Sequence, residues 1–515
     1  MSSTANRVIK NTGYLYAKMG ITMFISLYTT RLILNSLGAS DFGIFNIVGG
    51  AIAMLGFLNA AMAGATQRFM SYAEGEGNKE KQTRIFNISV VLHLLISLLV
   101  GVVLLIAGYF FFNGILNIPD DRIFAAKVIY GSLIVSTMFT VMTVPYDAVM
   151  NAHENMKYYA IVGIIESVLK LAVAFIVVYT LSDKLIVYGV LMACIPLITM
   201  VIMRVYCHKH YVECVLAPKR YWHKGLMKEM SGFAGWNLLG SAAGLIGNYG
   251  NGILINHFFG VILNAAIGVV NQLQGQLTVL TSNMQKALTP VIVKKEGEGQ
   301  REEMVQWSYV GCRFSFLLLA WIAIPIGIEA EQILRIWLKN VPEWTVLFLR
   351  LSIIRALFEL TTVSLSTSLA ATAKIKEFNI QSTILFYSAL LIEWFLFSNG
   401  FAPYWMYLTM IILVIIQNTL KLNLCHKYCS VPYIDYVKEV LLPLLSVTII
   451  TLLAGLIPYY IMKETVFRLI VSLLVSMITF CLFTYFIVLN SKEKSVITQI
   501  KNKIIDRYHN SKEKF

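Results

Sequence analysis

The chain has 515 residues, 57% of them hydrophobic and only 14% charged, with a mean hydropathy of +0.69. Soluble domains are about half apolar and about a quarter charged, so this composition excludes a soluble enzyme, a disordered chain and a disulfide-built secreted scaffold. The net charge of +14 is scattered over loops and a tail rather than gathered in one stripe, which argues against a nucleic-acid partner.

Apolar stretches of membrane-spanning length, about 20 residues, recur at 12–37, 42–72, 85–113, 123–150, 157–180, 184–206, 230–257, 261–290, 304–328, 343–370, 378–398, 402–424, 434–460 and 465–490. They predict an all-α integral membrane protein with about fourteen transmembrane helices. The first stretch is too long for a signal peptide, so no cleavable leader is expected. Lys79, Lys81, Arg84, Arg204, Lys209, Lys219–Lys228, Lys294, Lys295, Arg301, Lys374, Lys376, Lys421, Lys427 and the tail lysines fall on one side. The short loops on the other side hold few, chiefly Arg122, Lys184, Arg335, Lys339 and Lys463. Both termini are therefore expected in the cytoplasm. Cys194, Cys207, Cys214, Cys312, Cys425, Cys429 and Cys481 form no short, even framework and read as free thiols.

The chain repeats itself. Gly38–Gly77 slides onto Gly260–Gly299 without a gap, ending in Glu74-Gly75-Glu76-Gly77 over Glu296-Gly297-Glu298-Gly299. Ala152, Lys157, Tyr159 and Ile161 then match Ala371, Lys376, Phe378 and Ile380, and Cys207-His208-Lys209 matches Cys425-His426-Lys427. Three collinear matches at equivalent places predict two six-helix lobes, 1–215 and 230–430. A basic amphipathic linker at 216–229, two spans in 431–490 and a basic tail at 491–515 complete the plan. An even number of spans per repeat gives both lobes one orientation, with substrate expected at their interface.

Polar residues inside the spans concentrate on equivalent helices of the two repeats. Span 1 carries Tyr14, Lys18, Thr22, Ser26 and Thr29 at steps of three or four, with Arg31 near its end. Such steps place them on one helix face. Span 2 adds Asn46, Asn59, Thr66, Gln67 and Arg68; span 7 adds Asn237, Ser241, Asn248 and Asn251; span 8 adds Asn271, Gln274, Thr278, Ser282 and Gln285. As a set they suggest a hydrated substrate cavity. Amides and hydroxyls suit sugar hydroxyls, and Lys18, Arg31 and Arg68 suit a phosphate. Individually they also read as amides joining helices and cations snorkelling to the surface. Glu166 with Lys170, and Arg355 with Glu359, are four apart: intrahelical neutral pairs, or an ion relay coupled to transport. Asp147 and Glu393 are further acidic candidates.

The His and Cys residues near 207–214 and 425–429 fit no zinc spacing, and the repeat accounts for them; no metal is expected. No nucleophile elbow, zinc-protease or phosphate-loop motif is present, and the outer loops are too short to hold a transferase domain. No catalytic residue is assigned.

Asn11-Thr12, Tyr14-Leu15-Tyr16, Ser26–Arg31, Asp41–Gly50, Thr66-Gln67-Arg68-Phe69 and Phe233-Ala234-Gly235-Trp236-Asn237 resemble Wzx-type polysaccharide flippases. The likeness is greatest to lipopolysaccharide or capsule flippases of Bacteroides-like bacteria. The wider superfamily also holds MATE drug exporters and the lipid II flippase. The resemblance implies a V-shaped pair of bundles in the bacterial inner membrane. It implies a polyprenyl-diphosphate-linked oligosaccharide carried from the cytoplasmic to the periplasmic leaflet by alternating access. It also implies a monomer working beside a polymerase and glycosyltransferases, with no cofactor beyond coupling to H+ or Na+. The alternative is a MATE-like multidrug exporter, which favours cationic substrates. Against it, the four most polar spans carry no carboxylate well inside the membrane.

Overall fold

The structure, a computed structural model, describes residues 2–53, 56–115, 119–338, 341–491 and 493–495. Among the described residues the secondary structure is helical, without a strand. In chain order the helices are α1 Ser2–Ala53, α2 Gly56–Gly75, α3 Lys79–Phe110, α4 Ile123–Ala152, α5 Met156–Tyr179, α6 Lys184–His210 and α7 Pro218–Tyr221. There follow α8 Lys224–Phe259, α9 Val261–Gly297, α10 Arg301–Ile328, α11 Ala330–Leu338, α12 Thr345–Leu360, α13 Val363–Ala371 and α14 Ile375–Ser398. The last are α15 Trp405–Cys429, α16 Tyr433–Tyr436, α17 Leu442–Ile461 and α18 Val466–Phe483.

α3 shows why these helices belong in lipid. Leu94, Leu95, Leu98, Leu99, Val102, Leu105 and Ile106 are exposed and follow one face. The buried face instead carries Gln82, Ser89, His93, Ser97, Gly101 and Gly108. A water-soluble helix has the reverse polarity. Nine described helical segments are long and apolar enough to cross a membrane. The polar-striped α1, α2, α8 and α9 are not among them, nor is the stretch read as one span at 343–370. The 343–370 stretch is broken into α12 and α13 at Thr361 and Thr362. The break is satisfied from a distance. Asn418 donates to the Phe358 carbonyl at 2.7 Å, Tyr436 to that of Thr361 at 3.1 Å, and Lys421 to the Thr362 hydroxyl at 3.0 Å. Buried backbone groups in lipid need such partners.

The chain divides into two compact units. One comprises Met1–Ile246, Asn283–Trp307 and Thr367–Ile384, the other Gly247–Ser282, Ser308–Ser366 and Leu385–Phe515. The division cuts α8, α9, α10, α13 and α14 and does not follow the repeat. In the first unit α1 lies along α5 and α4 packs on α2, α3 and α6. Met70, Ile85, Phe86, Met150, Met230, Phe233 and Ile375 fill one core. In the second unit α12 packs on α15 and α17 on α18, and a buried ion pair joins Arg468 to Glu329 at 3.0 Å. The linker differs from its expected bounds. α8 starts at Lys224, inside the segment 216–229, where His223 accepts the Leu226 amide at 3.0 Å.

The backbone repeats local features at the offsets of the sequence match. Gly38 and Gly260 both have positive φ, at 76° and 81°. So do Gly77 and Gly299, at 68° and 74°. The latter two end α2 and α9 in the same motif: Asn78 and Gln300 amides reach back to Ala73 and Lys295 carbonyls at 3.2 and 2.9 Å. This is the left-handed helix stop that glycine supplies most easily. The match extends to Glu154 and Ala373, at φ 54° and 59°. Cys207 and Cys425 donate to the equivalent Tyr146 and Leu365 carbonyls at 3.9 and 3.5 Å. All seven cysteines are free.

Candidate functional site

The first unit gathers two lysines around one tyrosine. Lys18 on α1 has its ammonium nitrogen 4.4 Å from the Tyr159 ring centre, and Lys286 on α9 has its own 3.6 Å away. The two nitrogens are therefore no more than about 8 Å apart. An aromatic face attracts each cation, but nothing in a ring neutralises two. Tyr159 sits in the first turn of α5, which Asn155 caps by accepting the Tyr158 amide at 3.3 Å. One turn further, Gly163 leaves a notch: a Cβ there would lie 2.6 Å from the Lys18 ammonium. The apolar cluster of Leu15, Met156 and Ala287 lies close along the chain to the lysines and Tyr159. Asp147, near the end of α4, lies in the field of Lys286 and then Lys18.

Other expected residues go elsewhere. Arg68 is buried among Phe69, Tyr72 and Phe233, its guanidinium carbon 4.5, 5.0 and 5.5 Å from their ring centres. Its Nε and one terminal nitrogen donate to the Ala370 and Ala371 carbonyls at 3.0 and 2.8 Å, closing the end of α13. Asn237 is half-buried on α8, its amide nitrogen 3.8 Å from where a Cβ on Gly64 would lie. Gln285 is half-buried beside Lys286 in the first unit, whereas Asn271 and Gln274 belong to the second. The side chains of Arg31 and Asn248 lie outside the described residues. Glu166 and Lys170 pair at 2.6 Å, and Arg355 and Glu359 at 3.8 Å, each along one helix. In the second unit Glu393 is fully buried on α14. With its amide turned, Asn251 of α8 donates to one oxygen at 2.8 Å; the other has no hydrogen-bond partner among the described residues.

Sequence reasoning missed Lys286 and Tyr159. Lys286 carried the same signal as Lys18, a lysine within an apolar stretch and beside a polar stripe. Tyr159 carried none, since an aromatic at the start of a span also anchors helices at the membrane surface.

At their ends α2 and α9 meet within the first unit. A Cβ on Gly75 would collide with the Lys294 carbonyl oxygen, and one on Gly297 with the Tyr72 carbonyl oxygen. These are equivalent positions of the repeat, so the contact is reciprocal. Around it Glu74 pairs with Lys79 at 2.9 Å and with His153 at 3.4 Å, and His153 reaches Glu213 at 2.5 Å. Burial alone would raise the Glu213 carboxyl. The hydrogen bond from His153, a backbone hydrogen bond and the nearby positive charge of Lys79 together outweigh it and hold the group below the usual carboxylate range. Glu74 is likewise lowered, burial being outweighed by hydrogen bonds from Gln82 and Lys79.

The family described as polysaccharide biosynthesis protein matches residues 8–295. An uncharacterized membrane protein, EpsK, of Bacillus subtilis (strain 168) is 20% identical over 322 residues, 62% of this chain and 63% of that one. The chain thus spans less than two thirds of that relative. Solved structures share the fold. The Vibrio cholerae MATE transporter VcmN in its bent form has a TM-score of 0.68 at 16% identity, covering 83% of this chain and 98% of its own. A MOP superfamily transporter from Pyrococcus furiosus has a TM-score of 0.69 at 12% identity, covering 83% and 96%. MATE in the bent conformation has a TM-score of 0.72 at 13% identity, with the same coverage.

Proposed function

The chain belongs to the polysaccharide biosynthesis protein family and shares its fold with solved membrane transporters; we propose that it is a transporter rather than an enzyme, and that it flips a lipid-linked oligosaccharide. The cargo is an O-antigen or capsule unit on polyprenyl diphosphate. It passes from the cytoplasmic to the periplasmic leaflet of a bacterial inner membrane by alternating access. The observation that carries this reading is the pair of lysines sharing Tyr159. Two ammonium groups so placed within a membrane unit call for an anion, and a diphosphate bridges both with charge-assisted hydrogen bonds. The same pair repels the cationic drugs that a multidrug exporter would take. Substrate polar groups cross while the lipid tail stays in the bilayer.

The test is reconstitution in vesicles with a radiolabelled polyprenyl-diphosphate oligosaccharide, its leaflet read by an enzyme added outside. Movement that depends on Lys18 and Lys286 is expected. No movement, together with efflux of a cationic dye, would overturn the reading.

Glu393 carries the coupling in this proposal. A fully buried carboxylate with one oxygen unmet exchanges a proton, or accepts a small cation, at a cost that depends on conformation. Glu393→Gln is expected to leave gradient-free exchange intact and to abolish its acceleration by an imposed H+ or Na+ gradient. Acceleration equal to wild type would remove Glu393 from the coupling.

A further inference from the structure

One oxygen of Glu74 has two claimants. Its Oε2 is settled: Lys79 donates to it at 2.9 Å and Gln82 at 2.5 Å. Its Oε1 lies 3.4 Å from His153 Nδ1 and 3.9 Å from Lys294 Nζ, and neither distance is that of a full hydrogen bond. His153 follows α4 and belongs, with Glu74, to the first copy of the repeat. Lys294 comes from α9 in the second copy, and its carbonyl oxygen is the atom on which Gly75 closes. We propose that Glu74 Oε1 is a proton-operated switch: with a proton on His153 Nδ1 it is held by His153, and without one it passes to Lys294 and tightens α9 against α2. The inference concerns regulation of the transport cycle proposed above; it rests on α2 and α9 parting during that cycle, not on the cargo.

The other ring nitrogen fixes which atom titrates. His153 Nε2 meets Glu213 Oε1 at 2.5 Å, and Glu213 is fully buried. A buried carboxylate keeps a donor opposite it, so the neutral ring carries its hydrogen on Nε2, and Nδ1 gains and loses the second one. Protonated, Nδ1 donates to Glu74 Oε1. Deprotonated, it turns a lone pair on that oxygen and repels it toward Lys294. The ring is held in place by its stack on Tyr211, with centres 4.3 Å and planes 8° apart. Burial pushes the Tyr211 hydroxyl up to about 12, so the tyrosine stays neutral while the histidine titrates. The other nearby charges are already engaged. Lys79 of α3 is bound to Glu74 Oε2, and Glu154, the next residue after His153, pairs with Arg7 of α1 at 3.8 Å. Glu74, His153 and Lys294 are all largely buried, which strengthens each of these charge effects.

The second copy keeps the permanent pair and lacks the switch. Arg301 stands at the place of Lys79 and pairs with Glu296, the equivalent of Glu74. At the places of His153, Glu213 and Lys294 stand Thr372, Val431 and Tyr72. Thr372 donates to the Leu369 carbonyl at 3.0 Å, a neutral contact within its own turn. A closure that needed only packing would not need a histidine between two carboxylates on one side. Titration therefore acts on one half of a reciprocal contact.

The test reads the contact itself and needs no substrate. Nitroxide labels are placed on the full chain in lipid nanodiscs at Glu80→Cys and Glu302→Cys, two exposed positions beyond the ends of α2 and α9. The exposed Cys194 and Cys481 are replaced by serine. Label separation is measured by electron spin resonance at about pH 6 and about pH 8, which bracket the histidine range. With His153 otherwise intact, the population at longer separation is expected to rise at least about threefold from the higher to the lower pH. His153→Gln is expected to show the same populations at both. His153→Phe, which keeps the stack on Tyr211, gives a second variant without a proton should the first not fold, with the same result expected. Lys294→Gln is expected to show the longer separation equally at both values, since Glu74 then has no partner on α9. Populations that ignore pH while His153 is present overturn the switch, whatever the protein carries. A pH response that survives in both His153 variants overturns it as well, and one that survives Lys294→Gln removes Lys294 from it. Failure of the transport assay above, with this response intact, overturns the cargo and leaves the switch standing.

Discussion

Lys18 and Arg68 read alike in the sequence and end in different surroundings. Both are cations among polar residues of an apolar stretch. Lys18 lies in a notch over Tyr159, whereas Arg68 closes two carbonyls at the end of α13. Only an arginine offers two donors in one plane for that task. Arg68→Lys is therefore expected to lower stability by about 1–3 kcal/mol, read as a lower midpoint in thermal unfolding in detergent. An unchanged midpoint would show that the carbonyl contacts are dispensable. The sequence could not separate the two cations, because the carbonyls that claim Arg68 come from residues 302 and 303 positions away. Glu74 and Glu213 supply a second residue-level prediction. Their carboxyls are lowered from the ordinary 4.5, so the unfolded chain binds protons at a higher pH than the folded one. Their stabilisation is complete above that value and is lost as pH falls below it. His153→Ala removes the partner of Glu213, so it is expected to flatten the acid limb of a stability-against-pH profile. An acid limb as steep as wild type would sever the link.

Among the elements, the end of the repeat at Glu74–Gly77 and Glu296–Gly299 was legible as a marker and not as a mechanism. Its four glycines do two different jobs. Gly77 and Gly299 stop their helices with positive φ, while Gly75 and Gly297 let two backbones touch. The proposed alternating access makes this contact one that must part and re-form. Gly75→Ala and Gly297→Ala are each expected to hold it open. Alanine favours a helix over glycine by about 1 kcal/mol, so a loss of function cannot come from the helix and must come from the contact. The measurement is labelling of Ser71→Cys, whose position is fully buried here, by a water-soluble maleimide. Faster labelling in both alanine variants is expected, and an unchanged rate would separate the contact from gating. The break between α12 and α13 had no such local sign. No glycine or proline marks Thr361 and Thr362, and the groups that satisfy the break, on Asn418, Lys421 and Tyr436, lie far along the chain.

For the molecule as a whole, composition and the inverted polarity of helices such as α3 were enough to give an all-helical membrane protein. The internal match located the second copy of each motif. Neither foretold how the chain would divide, because sequence likeness follows the copied segment and packing follows shared core. Met230, Phe233 and Ile375, read as part of a separate lobe, fill the same core as Met70, Ile85 and Phe86. Residues 1–222 expressed alone are thus expected to be degraded, and to survive when 223–515 are co-expressed as a second chain. Recovery of a stable, monodisperse 1–222 by itself would contradict this. The reciprocal glycine contact has a last consequence. A surface where one residue meets another, and the equivalent of the second meets the equivalent of the first, is the signature of a twofold homodimer. A half-length ancestor carrying a single copy of this helix end would have found the same contact waiting in its own twin. Fusing two such copies would then only have to join subunits that already closed on each other.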